Sequence, residues 1–272
     1  MEWTQYLFMR NAFLAIILVT PIFALLGTMV VNNRMAFFSD SLGHSAFTGI
    51  ALGVIMGLRD PLISMIAFAG IVSISFCIIK KLTRFSPDTI IGVFSATSIA
   101  LGVVILSRGG GFSKYSSFLI GDILSITSLE IIALSFVLLA VLVYWFLFFN
   151  NLFLVSVNTV LAKSRGIKVL MTEIIFVLLI AVIVMVSIQW IGILVINALL
   201  ILPAAAARNL AMNMQTYNLL AVTISLLAGI IGLILSYYWG TAAGATIVLC
   251  NATFFLASLL PELRPLLNTT RT

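Results

Sequence analysis

The chain has 272 residues, 62% of them hydrophobic and 8% charged, with a mean hydropathy of +1.26 and a formal net charge of +6. Soluble domains are roughly half apolar, so this composition excludes a soluble enzyme or binding module and reads as an integral membrane protein. A spanning helix takes about 20 apolar residues, which leaves room for about eight to ten spans and none for a separate soluble domain. Breaking the chain at polar and turn residues predicts nine segments, at 12–32, 41–58, 62–79, 88–106, 129–149, 170–188, 190–207, 217–236 and 241–260. The breaks near Gln189 and at "YYWGT" are tight, so eight spans with one re-entrant or broken helix is the alternative. The expected fold is therefore an all-α polytopic bundle of 8–9 transmembrane helices, with residues 1–272 forming one transmembrane domain.

The first segment follows Glu2 and Arg10 and has no small-residue cleavage site, so it is expected as a retained helix and not a signal peptide. The second opens with "FFSDSLGHSAFTGIALGVIMG", residues 37–57, where Asp40 stands four residues before His44, the single histidine of the chain. Residues four apart share a helix face, so Asp40, His44 and Thr48 form a polar stripe. Beside it Ser41, Ser45, Gly49, Gly53 and Gly57 form a small-residue face suited to close helix packing. A charged group facing hydrocarbon costs several kcal/mol, so the pair marks a protein-facing or water-facing site. Three readings stay open from these residues alone: Asp40 as a helix cap beside a neutral His44, a two-ligand point for a divalent ion such as zinc, or a proton relay. Two ligands make a weak site, which suits an ion that must also leave.

Farther along, Ser95, Thr97 and Ser98 are polar positions in the fourth segment and are expected to bond to their own backbone or a neighbouring helix. The connection "SRGGGFSKYSSFLIGDILSITSLE", residues 107–130, is long enough for a lid or docking surface. The connection "NNLFLVSVNTVLAKSRGIKV", residues 150–169, contains a predicted short helix with Lys163 and Arg165 in its last turn and Gly166 as its stop. A short basic helix there serves either as a handle for a cytoplasmic partner or as a rest on anionic membrane lipid. Asn197 and Asn251 are further buried polar candidates, and Pro203 is expected to break or kink its helix. Cys77 and Cys250 fall in apolar runs and are expected as packing residues.

The basic residues report topology. Arg34, Lys80, Lys81, Arg84, Lys163, Arg165, Lys168, Arg208, Arg264 and Arg271 share one side, against Arg10, Arg59, Arg108 and Lys114 on the other. The positive-inside rule puts the ten in the cytoplasm and implies no nucleic-acid site. The sequence contains neither a G-x-x-x-x-G-K-[ST] phosphate loop nor an H-E-x-x-H or G-x-S-x-G motif, so the chain is expected to be no enzyme.

Six stretches in order, "MAFFSDSLGHSAFTGIALG", "DTIIGVFSATSIALGVVILS", "FLIGDILSIT", "VNTVLAKSRGIKV", "IGILVINALLILPAAAARNLA" and "GTAAGATIVLCNATFFLASL", resemble the membrane permeases of bacterial zinc and manganese ABC importers. The resemblance covers about residues 24–258 and is nearest to the zinc-uptake permeases. It implies a multi-pass protein of the bacterial plasma (inner) membrane, working as a homodimer with cytoplasmic ATP-binding subunits and an extracellular or periplasmic metal-binding protein. No cofactor is permanently bound in such a permease; Zn2+ or Mn2+ is cargo, and ATP is used by the partner. Carried over by residue, Asp40, His44 and Asn197 meet the passing metal. Ala162, Lys163, Arg165 and Gly166 belong to a cytoplasmic coupling helix at about 155–168. The chain departs from many relatives in having Thr48 where manganese members place a proline, and "VFSATS" where zinc members carry a second histidine. Zinc is the expected ion and manganese the next. The alternative is a proton-coupled carrier that works without an ATPase.

Overall fold

The structure, a computed structural model, describes residues 5–58, 60–109 and 121–269. In chain order the helices are α1 (Leu7–Asn32), α2 (Phe38–Ile55), α3 (Leu62–Leu82), α4 (Pro87–Gly109), α5 (Ser128–Val157), α6 (Thr159–Ser164), α7 (Val169–Ile191), α8 (Ile193–Leu210), α9 (Met214–Trp239) and α10 (Ala243–Thr269). The described residues contain no strand. Nine of these helices occupy the nine predicted segments, and the short α6 lies in the basic connection.

Among the described residues seven helices are long and apolar enough to cross a membrane; α2 and α8, 18 residues each, are not among them. In α2 the reason is chemical, because Asp40, His44 and seven serines, threonines and glycines dilute its apolar content. Such a helix is stable at membrane depth only when other helices cover it. It packs against α3, α4 and α7, and 13 of its residues are buried.

Two compact units divide the described chain. The second comprises Asn32 to Gly121 and Val143 to Asn197. There α2 is enclosed by its neighbours, and Phe38 of α2 meets Phe76 of α3 with ring centroids 5.2 Å apart. The first comprises α1, Asp122 to Leu142 and the chain from Ala198 onward. Its core gathers Ala24, Ala204, Ala207, Tyr217 and Ala221, where small side chains let α1, α8 and α9 approach closely. Polar ties close the same unit, with Asn209 Nδ2 donating to Ser258 Oγ at 2.9 Å and Asn11 Nδ2 to the Ile126 carbonyl at 3.1 Å.

Several boundaries differ from expectation. Helix α5 continues through "LFLVSV" to Val157, because that stretch stays apolar and helical, so the expected coupling helix at 155–168 is reduced to α6 at Thr159–Ser164. The break expected near Gln189 falls at Gly192. Pro203 lies inside α8 without ending it, and Pro21 likewise inside α1. Gly57 follows the end of α2 with φ +70 and nothing near its Cβ position, so it forms the turn and not part of the packing face. Within the outer connection, residues 110–120, including most of its glycine run, lie outside the described residues. Cys77 and Cys250 are both buried free thiols.

Candidate functional site

Helix α2 starts at Phe38 with Phe37 as N-cap, and no side chain caps its first turn. Asp40, in that first turn, is thus not a cap. Its Oδ1 accepts a 2.9 Å hydrogen bond from Asn197 Nδ2, and its Oδ2 lies 3.3 Å from His44 Nε2. The expected stripe is present, but its third member is committed elsewhere. Thr48 is buried and its hydroxyl donates to the Ser98 carbonyl of α4.

Asn197 reaches Asp40 because of the break before α8. Gly192 ends α7 with φ 80 and ψ 154, a backbone region open essentially to glycine alone. Its N–H bonds the Ile188 carbonyl, while its own carbonyl accepts from Ile196 N, so one helix stops and another starts without a loop. Ile193 then fills the space beside Gly43, where an added Cβ would come within 2.5 Å of Ile193 Cγ2. One turn on in α8 and one turn back in α2, the same antiparallel register sets Asn197 against Asp40. Gly121, at the end of the outer connection, packs on this break, since a Cβ there would meet Gly192 N and the Ile191 carbonyl.

The fourth segment has a fastening role. Ser45 Oγ bonds the Ser41 carbonyl at 2.7 Å and sits 3.2 Å from Ser98 Oγ. Together with Thr48 it ties α2 to α4 one turn beyond His44, while Thr97 is exposed. Asn251 is buried and bonds back to the Ile247 carbonyl of its own helix at 3.0 Å.

Two atoms at the site stand out chemically. His44 Nδ1 and Asn197 Oδ1 are buried and have no hydrogen-bond partner among the described residues. With Nε2–H directed at the Asp40 carboxylate, Nδ1 carries a lone pair, and an amide oxygen carries two. Leaving buried acceptors without a donor costs about 1–3 kcal/mol each, which a cation passing them would offset. The Asp40 side chain is 42% exposed and that of His44 25%, so the carboxylate stays accessible to an incoming ion. Among the described residues no cluster of three or more His, Cys, Asp or Glu forms. One chain therefore offers a carboxylate, an imidazole and an amide, a set suited to brief and not to tight binding.

The second predicted constellation forms its own local structure. Asn158 caps α6, its side chain accepting from Val160 N at 2.9 Å and Leu161 N at 3.0 Å. At the other end Gly166 N bonds the Lys163 carbonyl and Ile167 N the Ala162 carbonyl, with Gly166 at φ 77. That is a Schellman stop with glycine at its left-handed position. Ala162 is fully buried, whereas Lys163 and Arg165 are exposed. The cap at Asn158 was missed from sequence, although Asn followed by Thr at the end of an apolar run is a start signal.

The ABC 3 transport family matches residues 5–262 of the chain. The high-affinity zinc uptake system membrane protein ZnuB of Haemophilus influenzae is 34% identical over 249 residues, covering 91% of this chain and 95% of that protein. The manganese import system permease protein ScaB of Streptococcus gordonii is 30% identical, covering 92% and 90% respectively. Among solved structures, PsaBC from Streptococcus pneumoniae in complex with Fab superposes with a TM-score of 0.82 at 29% identity, over 95% of this chain and 93% of that one. The chain accordingly belongs to the ABC 3 transport family and is a multi-pass membrane protein of the bacterial plasma membrane.

Proposed function

We infer that the chain is the transmembrane permease subunit of an ATP-driven importer of divalent transition metal ions, zinc first and manganese second, with its whole length serving as one permease domain. The observation that carries the reading is Asp40 flanked by His44 and Asn197, each with a buried acceptor that has no donor among the described residues. Relatives named for zinc uptake and for manganese import support the class of cargo. A hydrated divalent ion meets the carboxylate first, and imidazole and amide lone pairs replace part of its water. Because the set is small and mixed, release needs no deep well to be climbed. A homodimer would present Asp40 and His44 twice about its axis.

Energy enters from outside the chain, which has no phosphate loop. Cytoplasmic ATP-binding subunits would grip α6, where Ala162 anchors the helix to the permease and Lys163, Arg165 and Gly166 face the partner. An external metal-binding protein would deliver the ion, and ATP-driven switching between two seam arrangements would carry it inward. The test is competitive uptake of radioactive zinc and manganese by vesicles holding this chain with its ATPase and delivery protein. ATP-dependent zinc uptake is expected in wild type and is lost in His44→Ala. Uptake that survives in the variant removes His44 from the path, and uptake driven by a proton gradient without the ATPase overturns the importer reading in favour of a carrier.

A further inference from the structure

At the end of α3 and the start of α7 a cavity of about 570 Å³ opens, lined by Lys80, Lys81, Lys163, Lys168, Met171 and Glu173 among others. Four ammonium groups face one carboxylate, and that carboxylate is engaged, with Lys80 Nζ 3.1 Å from Glu173 Oε1. No acid lies in the first turn of α7, and among the described residues no side chain caps its N–H groups. The cavity thus carries an excess of positive charge at the place where two membrane helices end.

Its remaining surroundings are apolar and lead toward the bilayer. On α3, Ile78 and Ile74 share the face of Lys81 and are exposed. On α7, Ile175 and Val182 continue the face of Met171 and are also exposed. A free inorganic anion has no use for these stripes, and an acidic protein segment has no acyl chain to lay along them. Lysines at the cytoplasmic mouth of a groove between spanning helices, with apolar stripes running into the membrane, are complementary to an anionic head group bearing hydrocarbon tails.

We propose that this cavity binds the head group of an anionic glycerophospholipid of the cytoplasmic leaflet, its phosphate between Lys81 and Lys168 and its acyl chains along the exposed isoleucine and valine stripes of α3 and α7. Lys80 stays paired with Glu173 and shapes the floor. The site depends on the membrane placement of these helices and not on the transported ion, so its failure leaves the transport reading standing.

Native mass spectrometry of the full chain in detergent with equimolar phosphatidylglycerol and phosphatidylcholine tests it. The first lipid retained is expected to favour phosphatidylglycerol by about tenfold, since each lysine near the head group favours the anionic lipid. The preference disappears in Lys81→Gln/Lys168→Gln and persists in Lys81→Arg/Lys168→Arg, which also shows that a substituted chain still folds. Equal retention of the two lipids, or a preference that survives the glutamine pair, overturns the proposal. Loss of phosphatidylglycerol to millimolar inorganic phosphate assigns the cavity to free phosphate instead. Loss of phosphatidylglycerol once ATP-binding subunits are added assigns it to an acidic segment of the partner.

Discussion

Asp40 is held by two bonds of different character, and the difference sets what each neighbour contributes. His44 comes from the next turn of the same helix, so its approach at 3.3 Å follows from local geometry. Asn197 comes from 157 positions away and depends on the register of α8 against α2. A hydrogen bond to a charged group contributes about 1.5–3 kcal/mol, so without it Asp40 is no longer held in position and the ion also loses the Asn197 amide oxygen. Asn197→Leu is expected to raise the KM for ATP-dependent zinc uptake by about tenfold to a hundredfold, with the chain still inserted and assembled. An unchanged KM in the same vesicles would remove Asn197 from the site. The Asp40–His44 pair was legible in the sequence because helical spacing alone makes it. Its tie to Asn197 was not, since no local pattern records an antiparallel register, although Asn197 already stood out as a polar residue in an apolar run.

Among the elements, α6 is a short helix whose sequence dictates both ends. Asn158 starts it, Gly166 stops it, and the fully buried Ala162 fixes one face, so a six-residue helix that would not persist alone becomes a rigid stub. Forcing a β-branched residue into the left-handed conformation of Gly166 costs about 1–2 kcal/mol, although no atom lies near enough to clash. Gly166→Val should therefore unwind the last turn and lower zinc transported per ATP hydrolysed by about tenfold, while Gly166→Asn, which tolerates that conformation, restores most of it. Parallel assays of phosphate release and uptake in proteoliposomes check this, and equal coupling in all three proteins would show that α6 transmits nothing. The short helix and its glycine stop were legible as turn chemistry. The end of α5 was not, because Asn150 and Asn151 look like a boundary, while the apolar residues after them carry the helix on to Val157.

Across the whole molecule, the two short helices decide how many helices cross the membrane. Seven helices qualify by length and apolarity, while α2 carries the polar site and α8 restarts directly after Gly192. Hydropathy undervalues α2, because it scores each helix as if lipid surrounded it, whereas α8 is apolar and falls short in length. Helix α2 is instead enclosed by α3, α4 and α7, so its polar groups need not meet hydrocarbon. If both cross, successive connections alternate sides, and the ten basic residues of one set all face the cytoplasm. Single cysteines at exposed positions read this directly, since Cys77 and Cys250 are buried and give little background. With a membrane-impermeant maleimide, Met56→Cys and Trp239→Cys are expected to label from outside intact cells. Phe85→Cys and Met212→Cys, the latter 97% exposed in the native chain, should label only in inside-out vesicles. Labelling of Met56→Cys from the cytoplasmic face would make α2 re-entrant, and labelling of Met212→Cys from outside would do the same for α8. Either result would move Asp40 to a different depth and change which side the ion reaches it from.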